Sequence, residues 1–363
     1  MTFYMPVKVY LGIGCIEKNA SVFSQFGKTA LIVTGKTSAK TSGALDDVVS
    51  SLKNQNISYH IFDKILNNPT VENCFEGGQF AKEVAADFII AIGGGSPLDA
   101  AKAIATYATN DIEPLDIFSG NIKNKALPFI AIPTTAGTGS EVTPYSILTV
   151  DAKETKINFS SPDTFARVAF LDARYTESLP LHVTVDTAID ALSHAFESIL
   201  NKRSNEMSEL YAKETIKLIG KAIPALLSGS FDITTREILL KAAMYGGVAI
   251  SQTGTCFVHS MGYPLTYYKG LSHGRANGMI LGSFVEGNEK VCPELVKELL
   301  GYLNLKNASD FSVLLKKLMP DSHILTDDEA KTFAHKAIQA KNVSLCLWNL
   351  TEKEEYEMFS KLI

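Results

Sequence analysis

In the first half of the chain, apolar residues gather in short continuous runs instead of alternating with polar ones. Thr29-Ala-Leu-Ile-Val-Thr34 ends at Gly35, Asp87-Phe-Ile-Ile-Ala-Ile92 at Gly93, and Pro128-Phe-Ile-Ala-Ile132 at Pro133. Runs this short, stopped by Gly or Pro, predict strands buried on both faces, as in a parallel sheet. A helical pattern over Leu98–Thr109 separates the second run from the third. This β-α-β rhythm predicts a doubly wound, mostly parallel α/β domain. Tyr145–Val150 and Arg167–Leu171 read as two more strands, and Met5–Leu11 as an edge strand. An unpaired edge tends to find a partner, so Met5–Leu11 suggests a homodimer.

The pattern changes near Pro180. Val183–Leu200, Glu206–Leu227, Thr234–Gln252 and Ala276–Val291 carry the spacing of long helices. Shorter helices are expected over Pro293–Leu303, Ser309–Met319, Thr326–Ala340 and Thr351–Ile363. The expected division is therefore an α/β domain over 1–180 and an all-α domain over 181–363, with the boundary in Ser178–Val183. No internal repeat is evident.

Composition narrows the function classes. The 363 residues are 46% hydrophobic and 20% charged, the balance of a globular protein with a large core. The net charge of −5 and a pI near 5.9 argue against a nucleic-acid binder. The cysteines are odd in number, at 15, 74, 256, 292 and 346, and form no C-x-x-C. That usage fits a reducing compartment without a disulfide framework. The N-terminus has no signal-peptide pattern and no run reaches membrane-spanning length, so the expectation is a cytoplasmic protein with no membrane partner.

Two glycine-rich turns follow predicted strands. The first is Gly93-Gly-Gly-Ser-Pro-Leu-Asp-Ala-Ala-Lys102. Ser96 suits a helix N-cap and Pro97 a first helical position. Such a turn is either a tight, well-capped corner or an anion site for a pyrophosphate on free backbone N–H groups. The second, Pro133-Thr-Thr-Ala-Gly-Thr-Gly-Ser-Glu-Val-Thr143, is dense in small hydroxyl residues. Two such loops at the ends of neighbouring strands favour a nucleotide, because open α/β sheets bind ligands there.

Three of the seven histidines fall in suggestive places. Asp190 and His194 are four residues apart and share one helix face. His259 opens His-Ser-Met-Gly-Tyr-Pro264, and His273 opens His-Gly-Arg-Ala-Asn277. Three imidazoles and a carboxylate suit a divalent ion such as Fe, Zn, Mn or Co, which would act as a Lewis acid. The alternative is a surface ion pair, a buried core histidine and an N-cap-like residue. His60, His182, His323 and His335 show no partner pattern.

Together these segments resemble the iron-dependent (group III) alcohol dehydrogenase family, in particular its bacterial 1,3-propanediol and butanol dehydrogenase-like members. The likeness runs over nearly the whole chain. It implies a dehydroquinate synthase-like architecture with a cleft between a nucleotide domain and a helical domain, and a dimer formed through the N-terminal strand. It implies that Asp190, His194, His259 and His273 hold the catalytic metal, iron(II), with zinc(II) also suited. It implies that Gly94, Gly95 and Ser96 hold the cofactor pyrophosphate beside Asp99. Asn68, Thr134, Thr135, Thr138, Ile147 and Lys156 would line the rest of the groove. The implied reaction is hydride transfer between a nicotinamide and a small primary alcohol, diol or aldehyde.

Two departures from the family pattern stand out. Many members carry a histidine near the nicotinamide, four residues after the third ligand, where this chain has Tyr263. A phenol with a reference pKa near ~10 hydrogen-bonds but accepts protons poorly at neutral pH. Many members also place an aspartate directly after the first strand, where it accepts from the ribose hydroxyls. Here Gly35 stands there, with Lys36, Thr37 and Ser38 behind it. Loss of the carboxylate and gain of a cation point to NADP(H) over NAD(H). Competing readings are a glycerol dehydrogenase-like or dehydroquinate synthase-like enzyme, or a non-catalytic nucleotide sensor with a structural metal. The lyase needs clustered cations, and only Lys269 and Arg275 flank the metal segments.

Overall fold

The computed structural model describes residues 2–320 and 324–363; His323 lies outside the described residues. The chain forms two compact units. One comprises Met5–Thr135 and Gly139–Leu179. The other comprises Pro180–Ile363, the short segment Ala136–Thr138 and the N-terminal residues through Tyr4.

The first unit holds strands β1 (Lys8–Leu11), β2 (Thr29–Thr34), β3 (Ser58–Phe62), β4 (Phe88–Gly93), β5 (Phe129–Pro133), β6 (Ser146–Val150), β7 (Thr155–Phe159) and β8 (Val168–Leu171). Between them lie helices α1 (Cys15–Lys18), α2 (Ser38–Thr41), α3 (Ala44–Asn54), α4 (Val71–Glu83) and α5 (Gly95–Tyr107). Six strands form a parallel sheet in the order β1-β8-β5-β4-β2-β3. The continuous apolar runs are its interior: Ile32, Ile90 and Ile130 are fully buried and pack with Val48 and Leu52 of α3. From β2 the chain steps outward to β3, then returns to place β4 on the other side of β2. That reversal makes the C-terminal ends of β2 and β4 the switch point where such sheets bind ligands.

The sheet also departs from expectation. Ser58–Phe62, missed in the sequence, is the edge strand opposite β1; its side chains are mostly exposed, so it carries no buried run. Tyr145–Val150 forms no part of the main sheet. Its ordered part, β6, pairs antiparallel with β7 as a separate two-stranded ribbon. Helix α5 begins at Gly95, three residues before the expected Leu98, and its N-cap is Gly94, not Ser96. The reason is steric. Gly93 takes φ +152, and a Cβ there would stand 2.5 Å from Pro97 Cγ, so the chain turns into the helix immediately after β4.

The second unit is helical: α6 (Leu181–Ile199), α7 (Glu206–Ser228), α8 (Ile233–Thr253), α9 (Phe257–Lys269), α10 (His273–Val291), α11 (Pro293–Gly301), α12 (Ala308–Leu318), α13 (Asp327–Ala337) and α14 (Glu352–Ser360). Most ends match the periodicity because side chains cap them. Asn205, Asp232, Thr326 and Thr351 each accept a backbone N–H of the first turn. Helix α6 is the axis: every residue from Ala188 to Ile199 is buried, and α7, α8 and α10 pack around it. Helix α9 was not expected. It contains Gly262 and Pro264, which lower intrinsic helicity, and no side chain caps its start. Burial of Phe257, Val258, Met261 and Leu265 overrides that weakness. No helix among the described residues is long and apolar enough to cross a membrane.

Candidate metal centre and nucleotide turn

Three helices of the second unit bring one carboxylate and three imidazoles together. Asp190 and His194 lie one turn apart on α6, His259 in the first turn of α9, and His273 at the first position of α10. Asp190 Oδ1 stands 3.9 Å from Nε2 of each of His194, His259 and His273. One donor atom from each of Asp190, His259 and His273 lies within 4.8 Å of the others. Two ligands each ~2.0–2.2 Å from a common ion are at most roughly 4.4 Å apart, so one ion can bond Asp190 and any of the imidazoles.

The surface ion-pair reading fails on burial: the Asp190 and His194 side chains are 2% and 4% exposed. A core-histidine reading leaves the Nε2 of His259 unexplained, since this buried atom has no hydrogen-bond partner. An unmet buried nitrogen costs on the order of 1–3 kcal/mol, and a cation beside Asp190 would satisfy it. His273 is the most open member, with its side chain 27% exposed.

Electrostatics favours the metal-binding protonation states of Asp190 and His194, and the protonated ring at His259. Burial opposes ionisation of Asp190, but His194, His273, His259 and an Asn277 hydrogen bond outweigh it and hold the carboxyl below its ordinary range. Burial pulls His194 down to about 4, against the opposing pull of Asp190, so its ring is neutral at pH 7. His259 is raised: burial lowers it, but the charge and hydrogen bond of Glu197 prevail.

Several supporting residues were missed in the sequence. Glu197, fully buried, hydrogen-bonds His259 Nδ1. Asn277 Nδ2 donates to Asp190 Oδ1 at 2.9 Å and lies 3.2 Å from His273 Nε2. Their spacing held a signal. Asp190, His194 and Glu197 sit at i, i+4 and i+7, and His273 and Asn277 at i and i+4, so each set lies on one helix face. Gly274 lets α10 meet α6: a Cβ there would stand 1.9 Å from Asp186 O. Asp186 also accepts from Ser272 Oγ at 2.5 Å and pairs with Arg275 at 3.2 Å, which fixes the start of α10. Tyr263 stacks on His273 with ring centroids 6.0 Å apart.

The first unit gathers most of the expected nucleotide residues. The start of α5 has no side-chain cap, which leaves its N–H groups available to an anion. Ser96 Oγ accepts from Asn68 N at 3.2 Å, and Asn68 Oδ1 accepts from Lys156 Nζ at 2.6 Å. Asp99 Oδ2 accepts from Ile147 N at 3.0 Å, and its Oδ1 from Ser140 Oγ at 2.5 Å. Asp99 thus seats the β6–β7 ribbon against α5. Fully buried Lys102 donates to Ser140 Oγ and to Tyr145 O. The hydroxyls of Thr34 and Thr134, at the ends of β2 and β5, are buried without a hydrogen-bond partner. Thr135 adjoins Gly94, whose Cβ would lie 3.1 Å from Thr135 Cγ2. Thr138 falls outside this group, in the segment that packs with the helical unit. Gly35 follows β2 directly, Lys36 is exposed and Ser38 opens α2. Of the other histidines, His182 is exposed, His60 meets Phe80 edge-on and His335 pairs with Glu352.

Comparison with known proteins decides the family. The iron-containing alcohol dehydrogenase model matches residues 6–173, and the C-terminal model of the Fe-containing alcohol dehydrogenase family matches 184–345. The chain belongs to the iron-containing alcohol dehydrogenase family. As a member it is an NAD(P)-dependent oxidoreductase of class EC 1.1.1.- that acts on a small alcohol or aldehyde. A crystal structure of an iron-containing alcohol dehydrogenase from Thermotoga maritima superposes with a TM-score of 0.92 at 36% identity, covering 99% of each chain. An NADPH-dependent butanol dehydrogenase of Clostridium saccharobutylicum is 30% identical over 84% of this chain and 78% of its own length. An NADH-dependent butanol dehydrogenase A from Thermotoga maritima superposes at 0.88 with 25% identity, covering 100% and 98%.

The close approach at Gly274 gives a direct test of the helix contact. Gly274→Ala should cost about 1–3 kcal/mol of stability and lower metal stoichiometry, because α10 must move away from α6. Urea unfolding and metal analysis read both; a variant that matches wild type in each would contradict the packing described.

Proposed function

We propose that the chain transfers hydride between NADP(H) and a small primary alcohol or diol and its aldehyde, with one divalent ion held by Asp190, His194, His259 and His273. The observation that carries the reading is the buried Asp190 oxygen 3.9 Å from three imidazole nitrogens. Iron(II) is the family's metal, and zinc(II) suits the same donors. When bound, the metal supplies Lewis acidity at the substrate oxygen, and the nicotinamide supplies the hydride chemistry.

The protein's own residues do the rest. Neutral His194 and ionised Asp190 present donors without first having to shed protons. His273, the most open donor, marks the side on which a substrate oxygen can enter. Tyr263, stacked on His273, offers a hydroxyl for hydrogen bonding there in place of the second histidine of many relatives. In the nucleotide unit, Gly94, Gly95 and Ser96 would hold the pyrophosphate on the N-terminus of α5. Asn68, Asp99, Thr134, Thr135, Ile147 and Lys156 would shape the rest of the groove.

The synthase-like reading is disfavoured by its own candidates. Lys269 pairs with Glu329 at 2.6 Å and Arg275 with Asp186 at 3.2 Å, so both cations are engaged by carboxylates.

Replacing His259 with alanine should remove most of the bound metal and nearly all turnover. Metal analysis with a panel of short aldehydes and diols checks this, and near-normal metal and activity would show the ligands to be misassigned.

Cofactor choice rests on Gly35 and Lys36. A side chain at Gly35 is tolerable, since its Cβ would stand 3.4 Å from Ile65 O. NADPH should therefore be used with higher kcat/KM than NADH, and Gly35→Asp should shift the ratio toward NADH. Equal or better efficiency with NADH in the wild type would overturn the assignment.

A homodimer formed through β1 completes the proposal. That strand is an edge of the six-stranded sheet, paired among the described residues only with β8. Light scattering at micromolar concentration should give twice the chain mass, and a clean monomer would contradict it.

A further inference from the structure

We propose that Glu197 is a positioning residue that sets the affinity and ligand field of the metal site by holding His259 as a metal ligand. The inference rests on the metal reading above and goes one layer beyond it. Glu197 is fully buried on α6, one turn past His194. One of its oxygens hydrogen-bonds His259 Nδ1, and the other accepts from the His259 backbone N–H at 3.4 Å. In the neutral ring, with Nδ1 donating to Glu197, the lone pair lies on Nε2, the atom that faces Asp190 and has no hydrogen-bond partner.

The surroundings show that this contact is built into the fold. Cys256, the N-cap of α9, donates its Sγ–H to the carbonyl of Glu197 at 3.4 Å, and Asn201 Nδ2 lies 3.6 Å from that sulfur. Helix α9 starts without a side-chain cap of its own. It is instead registered on the last turn of α6 by Cys256 through the backbone and by Glu197 through His259. Burying a second carboxylate near Asp190 carries a desolvation cost of several kcal/mol unless charge compensates it. A divalent cation across the imidazole from Glu197 would provide that compensation. A carboxylate behind a ligating histidine fixes ring orientation and raises ligand basicity.

The test compares metal-free wild type with Glu197→Gln and Glu197→Ala. Zinc(II) affinity is measured by competition with a chelator, and cobalt(II) loading by visible absorption. Wild type should bind one ion per chain. Glu197→Gln keeps the side-chain volume and one acceptor oxygen but loses the charge. It should fold normally without metal, bind zinc(II) about 10–100-fold more weakly and shift the cobalt(II) bands. Glu197→Ala should lose at least as much affinity. If Glu197→Gln keeps wild-type affinity and an unchanged cobalt(II) spectrum, the inference is overturned while the metal site stands. A metal-free Glu197→Gln that fails to fold would assign Glu197 a structural role and overturn it too. A wild type that binds neither ion overturns the metal reading and this inference together.

Discussion

The structure depends on one buried carboxylate. Asp190 lies at the centre of the helical unit, within 3.9 Å of imidazoles from α6, α9 and α10. Burial alone would push its charge out, and charge-balancing neighbours keep it ionised. Those neighbours require α9 and α10 to approach α6 closely. Gly274 permits the approach on one side, and the Glu197–His259 contact enforces it on the other. The packing of the helical unit and the chemistry of its site are therefore one arrangement. An ion bound to the folded site would stabilise that arrangement by mass action.

The nucleotide unit solves a different problem, the presentation of backbone to an anion. Gly93 and Gly94 turn β4 directly into α5, so the helix N-terminus is left without a competing side-chain cap. Asp99 then uses both oxygens to tie the β6–β7 ribbon and Ser140 to that helix. Lys102 offsets the charge of Asp99 from within the core, where burial pulls the ammonium below its usual range. Beside it, burial pushes the Glu141 carboxyl up to about 7, against the opposing pull of Lys102. A small set of hydrogen-bonded polar residues thus fixes a surface that is otherwise glycine and hydroxyl.

Much of this was legible in the sequence because it was written in local patterns. The central strands are continuous apolar runs, and α7 and α8 carry side-chain caps at their starts. Where the pattern was weak, the reading failed for identifiable reasons. Strand β3 lies at an edge with mostly exposed side chains. Helix α9 is held by burial against a sequence that contains Gly262 and Pro264. Hydroxyl residues prefer N-caps, which favours Ser96 in the sequence, whereas the backbone of Gly93 decides the turn. Glu197 and Asn277 sit at helical spacing from the proposed ligands, yet their contacts form only when α9 and α10 are brought to α6. Family resemblance pointed to the four residues proposed as ligands; the layer behind them needed the three-dimensional structure.

The most direct test of the central claim is a crystal structure of the metal-loaded protein with anomalous diffraction at the metal edge. The account predicts one anomalous peak per chain, about 2.0–2.2 Å from an Asp190 oxygen and from the Nε2 atoms of His194, His259 and His273. A peak elsewhere, or a loaded site that excludes Asp190 or any of the three imidazoles, would contradict it.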